Sequence, residues 1–215
     1  MASAGILARG PWEPAAVTCH WRDDQFEPAP EAARAADDAV QALRDRGSPA
    51  HDGLSARLAS YEQNGDGLAL ELQPVRWSLR LVDDSAGSLA ALCVTRAADG
   101  RWLAGRRAPW VASWAGRWAL GAGGAVEVGE HPIDSLGREL GEEWSVAPER
   151  MSIEALVHTP SRLVLLVGLA WLPPGAEVER DPEHDRHAWW PADIDAWPAE
   201  ADAPLRAMAS LLAAA

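Results

Sequence analysis

Apolar positions recur along this chain at two periods, and the changes from one to the other mark its elements. Over residues 31–46, Ala, Val and Leu return every three or four positions, which places them on one helix face. Pro28 and Pro30 stand ahead of this segment and Gly47 behind it, as start and stop signals. Before it, residues 1–15 carry Gly5, Gly10, Pro11 and Pro14 and are expected to be irregular, with a short strand over 16–21. After it, Ser48-Pro49-Ala50-His51-Asp52-Gly53 is turn chemistry. The runs 54–62 and 68–73 read as strands joined at Asn64-Gly65-Asp66-Gly67, a hairpin signal. Residues 74–85 read as a connector anchored by Trp77 and Leu79.

Residues 88–97 and 101–107 form a second hairpin about Asp99-Gly100. A loop over 110–116 is followed by residues 117–120, which lead into a glycine-rich stretch whose first part, from Gly123, reads as a strand entering a loop. A helix follows it, with Pro132 in the first turn, where its missing N–H would have no intrahelical partner. Residues 151–158 and 163–172 pair around Thr159-Pro160-Ser161; the second run is apolar throughout and too short to span a bilayer. An acidic loop over 177–185, a strand over 187–190, one helical turn within 191–197 and a helix over 203–212 complete the chain. Strands on both sides of a central helix, with another helix at the end, predict a mixed sheet between helices, an α+β or α/β arrangement. Two domains are expected: residues 1–85 as an N-terminal α/β subdomain and 86–215 as the main domain.

Composition narrows the function. A chain of 215 residues, 48% hydrophobic and 24% charged, is an ordinary globular mixture. Its formal charge of −13 argues against binding a nucleic-acid backbone. A small phosphorylated substrate remains open, because a metal and a few arginines can supply local positive charge. All 19 basic residues are arginine, and 12 tryptophans offer flat faces for stacking as well as core volume. Cys19 and Cys93 lie far apart, and no charged segment followed by an apolar one stands near Met1, so a reduced cytoplasmic protein without membrane attachment is expected.

The chemistry concentrates in residues 123–146. Glu139, Glu142 and Glu143 are spaced i, i+3, i+4, so three carboxylates share one helix face. Like charges that close repel one another, and a hard divalent cation such as Mg²⁺ or Mn²⁺, which prefers oxygen ligands, would neutralise them. Gly137 and Gly141 each cost about 1 kcal/mol in a helix relative to alanine, which points to close packing on their side.

The same stretch resembles the signature box of the Nudix hydrolases: Gly, five residues, Glu, seven residues, then Arg-Glu-aliphatic-any-Glu-Glu-any-Gly-aliphatic. Gly124, Glu130, Arg138, Glu139, Leu140, Glu142, Glu143 and Val146 match in register, and Ser145 stands where the family has glycine. If that position needs a positive φ, serine is strained there by about 1 kcal/mol. The resemblance covers about residues 86–214 and implies an α/β/α sandwich with a mixed sheet.

It also implies hydrolysis of a diphosphate linkage in a nucleotide or nucleoside-diphosphate derivative. ADP-ribose, a sugar nucleotide, an NTP and an oxidised dNTP all remain open as substrates. Glu139, Glu142, Glu143 and the Gly123 carbonyl would hold Mg²⁺ or Mn²⁺, and Glu139 or a glutamate on a later loop would act as base. Arg138 and Glu130 would form an orienting pair. Arg106 and Arg107 at a strand end, and Glu183 on the acidic loop, are substrate-binding candidates. In some members an N-terminal extension builds a dimer interface or part of the pocket, so a homodimer is among the expectations. The alternative is a catalytically silent Nudix-like module that binds a nucleotide as a sensor or interaction partner.

Overall fold

The computed structural model describes residues 5–48, 52–82 and 86–213. The turn expected at 48–53 and the connector at 74–85 therefore lie partly outside the described residues. Among the described residues, eleven strands and three α-helices follow the chain order β1 (Gly5–Trp12), β2 (Val17–Trp21), α1 (Pro30–Asp45), β3 (Leu54–Asn64), β4 (Gly67–Arg76), β5 (Leu89–Arg96), β6 (Trp102–Arg107), β7 (Trp118–Leu120), β8 (Ala122–Ala125), α2 (Pro132–Trp144), β9 (Arg150–His158), β10 (Val164–Trp171), β11 (His184–Trp190) and α3 (Ala203–Ala213).

The larger sheet has the order β1-β9-β10-β5-β6-β11, with β8 on β5 and β7 on β6. It is mixed, because β10 runs parallel to β5 and the other pairs are antiparallel. The apolar run of β10 occupies the centre, where both faces are covered and alternation is not needed. Cys93, Leu103, Leu166 and Ala170 pack with Leu136, Leu140 and Trp144 of α2. Their neighbours Val94, Trp102, Val167 and Leu169 point the other way and pack with Leu205, Ala209 and Leu212 of α3. Period-two alternation thus divides the sheet between two helical layers, an α/β/α sandwich. No helix among the described residues is long and apolar enough to cross a membrane.

A second sheet, β2-β4-β3, is joined to the first. The Ala56 amide donates to Val126 O at 2.8 Å and the Leu58 amide to Gly87 O at 2.9 Å, with bridges Ser55–Glu127 and Arg57–Ser88. Leu58, Leu68, Leu70 and Leu72 share one core with Leu136 and Leu140 of α2. The end of α1 follows its expected stop: Gly47 takes φ 70°, its amide reaches Arg44 O, and the Ser48 amide reaches Leu43 O.

Four local expectations are corrected. Residues 5–12 are a strand on the edge of the larger sheet, paired with β9 and burying Ala8 and Trp12. Pro74 extends β4; it lies beyond residues 68–72, where β2 pairs, so its missing N–H interrupts no ladder on that side. Residues Trp77–Leu81 then form a 3-10 turn that packs on α1 through Leu79, Ala32 and Ala36. His184 and Asp185 belong to β11 and not to the acidic loop.

Candidate active site

The glycine stretch and α2 meet because each is built for the other. His131 caps α2, its ring Nδ1 accepting the Ile133 amide at 3.2 Å. Leu136, Leu140 and Trp144 bury the helix against the sheet, and the Trp144 indole donates to Gly121 O at 3.0 Å. This orientation carries Glu139 and Glu143 inward beside β8, whereas Glu142 stays 60% exposed. A Cβ on Gly124 would stand 2.1 Å from Glu139 Oε1, so only glycine lets the carboxylate lie against the loop. The Gly123 amide faces Glu143 Oε1 at 3.4 Å. Gly137 and Gly141 are different, since a Cβ on either meets nothing within 4 Å. Close packing, the reason expected for them, does not explain them.

Arg138 is the hub of the site. Its Nε and Nη2 bind the two oxygens of Glu130 at 2.9 and 3.1 Å, a bidentate pair. Its Nη1 donates to Glu139 Oε1 at 2.8 Å and to Glu142 Oε2 at 3.1 Å, and Nη2 also reaches Ala125 O. Glu130 Oε2 further accepts from Ser135 Oγ at 2.6 Å and from the Glu127 amide at 3.1 Å. Burial pushes the Glu130 carboxyl up, but the bonds from Arg138, Ser135 and the Glu127 amide outweigh it and hold it below its ordinary pKa. Ser145 closes the helix at φ 55°, ψ 33°, so this position does take the left-handed conformation.

Burial dominates at the two inner carboxylates. Glu143 is pushed up to about 9, with Arg107 at 3.7 Å opposing the shift and Glu139 adding to it. Glu139 is raised for the same reason, against the pull of Arg138. Beside them, His184 is 1% exposed. Its Nδ1 lies 3.1 Å from Asp181 Oδ1 and its Nε2 lies 3.8 Å from Glu143 Oε2, with the ring 4.6 Å from that of Trp144.

One cavity of about 530 Å³ collects these groups. Gly123, Gly124, Glu127, Arg138, Glu139, Glu142, Glu143, Arg107 and Glu183 all line it. Arg107 spans its wall, bonded to Glu183 at 2.8 Å. Arg106 is not among the lining residues; it pairs with Asp185 across β6 and β11. Among the described residues no three His, Cys, Asp or Glu side chains stand together as a ready-made metal cluster, and Arg138 occupies the space between Glu139 and Glu142. Sequence reasoning missed Asp181 and the residues that line the cavity from the N-terminal part and the 110–116 loop: Leu54, Ser55, Trp77, Arg80 and Trp110. No local signal marks the upstream ones, because the seating of β3 against residues 87–88 and 126–127 brings that part here.

The NUDIX domain profile matches residues 88–208, more than half of the chain. This protein belongs to the Nudix family. Among solved structures, the chain is similar to the MutT protein of Methanosarcina mazei Go1, at 20% identity over 57% of this chain and 90% of that one, TM-score 0.43. A similar likeness holds to a C. elegans Ap4A hydrolase, at 19% identity over 59% of this chain and 96% of that one, TM-score 0.46. The NUDIX domain of Shewanella oneidensis NrtR, solved with ADP ribose, is 19% identical over 57% of this chain and 86% of that one, TM-score 0.41. No significant match is found among curated proteins. As a Nudix protein the chain falls within the Nudix hydrolase superfamily.

Proposed function

We propose that this chain is a Mg²⁺- or Mn²⁺-dependent pyrophosphohydrolase that cleaves the diphosphate linkage of a nucleotide or nucleoside-diphosphate derivative. The observation that carries the reading is the gathering of Glu139, Glu142, Glu143 and the Gly123–Gly124 backbone on one cavity wall, braced by the Arg138–Glu130 pair.

The donor set fits a hard divalent ion. Every candidate ligand is an oxygen, and Glu143 is a buried carboxylate whose arginine neighbour, Arg107, is shared with Glu183. Glu139, Glu142, Glu143 and the Gly123 carbonyl would hold the ion, with the exposed Glu142 leaving Arg138 to join them. When bound, the cation would neutralise diphosphate charge and lower the pKa of water.

The protein's own part is positioning and proton transfer. Water adds to one phosphorus, the bridging P–O bond breaks, and the water proton passes to Glu139 and on to solvent. Arg138 holds Glu139 by one oxygen and thereby sets the direction of the other. The walls from the N-terminal subdomain, residues 1–85, shape the mouth of the hydrolase domain, residues 86–215.

A panel of ADP-ribose, sugar nucleotides, dinucleoside polyphosphates, NTPs and oxidised dNTPs, read by product analysis with Mg²⁺ or Mn²⁺, tests the proposal. Glu139→Gln should lower turnover about 10²-fold or more, and Glu142→Gln and Glu143→Gln should weaken metal activation at least about tenfold. Activity that survives EDTA and all three substitutions overturns the mechanism. The second reading, a nucleotide-binding module without turnover, draws on Arg138 sitting between Glu139 and Glu142. Turnover of any panel member eliminates it.

A further inference from the structure

Three arginines line the cavity, and they are not equivalent. Arg107 is committed to Glu183 and Glu143, and Arg138 to Glu130, Glu139 and Glu142. Among the described residues Arg80 has no carboxylate within ion-pair distance; its guanidinium rests 5.5 Å from the centroid of the Trp77 ring. Burial lowers its pKa, with the field of Glu139 opposing and that of Arg107 adding. A partly buried cation with no direct ion pair among the described residues, only the more distant field of Glu139, is an arrangement that an incoming anion would relieve.

The backbone beneath Arg80 is anchored by packing. It sits in the turn Trp77–Leu81, whose Ser78 and Leu79 are buried, and Leu79 packs with Ala32, Ala36 and Val75. A guanidinium on a rigid base binds a phosphoryl group with little ordering cost and in a two-point geometry. The remaining lining suits the other half of a nucleotide. Leu54, Trp110 and Val128 border the same cavity and are 48%, 40% and 46% exposed, an apolar rim against which a flat base can lie.

We infer that Arg80 is the anion contact of this cavity, taking a phosphoryl oxygen of a nucleoside diphosphate whose base lies against the apolar rim. Its role is to position substrate and to select for phosphate, from a part of the chain outside the signature box. The substrate's identity rests on the hydrolase reading above, so the test must separate the two.

The full chain in EDTA is titrated with ADP and with adenosine by calorimetry, as wild type, Arg80→Met and Arg80→Lys. Wild type should prefer ADP over adenosine by about tenfold or more, the scale of one charge-assisted hydrogen bond. Arg80→Met should lose that preference and Arg80→Lys keep part of it, while adenosine binding stays the same in all three. Saturating ADP should raise the melting temperature of wild type more than that of Arg80→Met. On a turned-over substrate, Arg80→Met should raise KM about tenfold with kcat within about threefold, the pattern of lost uniform binding.

Equal loss of ADP and adenosine binding marks a merely structural arginine and overturns the inference. So does a wild type that fails to bind ADP. A wild type that hydrolyses panel substrates while Arg80→Met leaves KM and the ADP preference unchanged overturns the role of Arg80 and leaves the hydrolase reading intact. No turnover, with an ADP preference that depends on Arg80, removes the hydrolase reading and leaves the anion site standing.

Discussion

Gly124 leaves no room for a side chain, because a Cβ would meet Glu139 Oε1 at 2.1 Å and Cδ at 2.4 Å. The obstructing atoms are the end of a flexible side chain, so the carboxylate would move and the backbone would not. Gly124→Ala should therefore lower turnover about 10²-fold, the scale of a displaced catalytic group, while far-UV circular dichroism stays that of wild type. Glu130 is the second informative residue. Its carboxyl lies below its ordinary pKa of 4.5 in the folded protein, so its stabilising bonds are fully present above that value and are lost as pH falls through the folded one. Glu130→Gln should cost about 1.5–3 kcal/mol at neutral pH, the range for hydrogen bonds to a charged group. That difference should narrow in urea melts as pH falls below 4.5, the carboxyl's ordinary value. Both residues were legible in the sequence through their register in the resemblance to the Nudix box. Their partners were not, because Ser135 and the Glu127 amide are defined by the loop's path.

At the scale of elements, α2 shows propensity giving way to packing. Its body carries Gly137 and Gly141, and it ends at Ser145 with φ 55°. Neither glycine is required by a neighbour, and serine pays a left-handed strain that glycine would not. Gly137→Ala and Gly141→Ala should each stabilise by about 1 kcal/mol, and Ser145→Gly by about 0.5–1 kcal/mol, read as shifts of the urea midpoint at constant slope. A loss of stability at Gly137 or Gly141 would contradict the open space around them. The strand β1 shows the converse case. It is held by hydrogen bonds to β9 and buries only Ala8 and Trp12, so an edge position with glycine and proline carries too little periodicity to be read from sequence. The central β10 was legible because burial on both faces makes its apolar run continuous.

At the scale of the whole molecule, the N-terminal sheet and α2 share one hydrophobic core. The proposed subdomain and domain should therefore melt in one cooperative transition. Cys93 reports on it from within. It is fully buried, and burial pushes its thiol up to about 12, so it should resist alkylation at neutral pH until the sheet opens. Mass-spectrometric labelling along a urea series should place Cys93 modification on the global unfolding curve. Labelling well before that midpoint would show that the sheet opens locally.

The sequence by itself determined the helices, most strands and the register of the carboxylates, because these depend on short-range spacing: two for strands, three or four for helices, and a fixed count from Gly124 to Val146. It could not determine what stands across the cavity from them. Arg80, Trp77 and Leu54 come from a segment far upstream, and they arrive because β3 pairs with residues 87–88 and 126–127 and shares a core with α2. Arg106 and Arg107 are adjacent in sequence, yet only Arg107 lines the cavity, while Arg106 pairs with Asp185. Chemistry carried on one helix and its loop is local and can be read in one dimension. The cavity's other walls are assembled from distant segments, and their meeting is decided by tertiary structure alone.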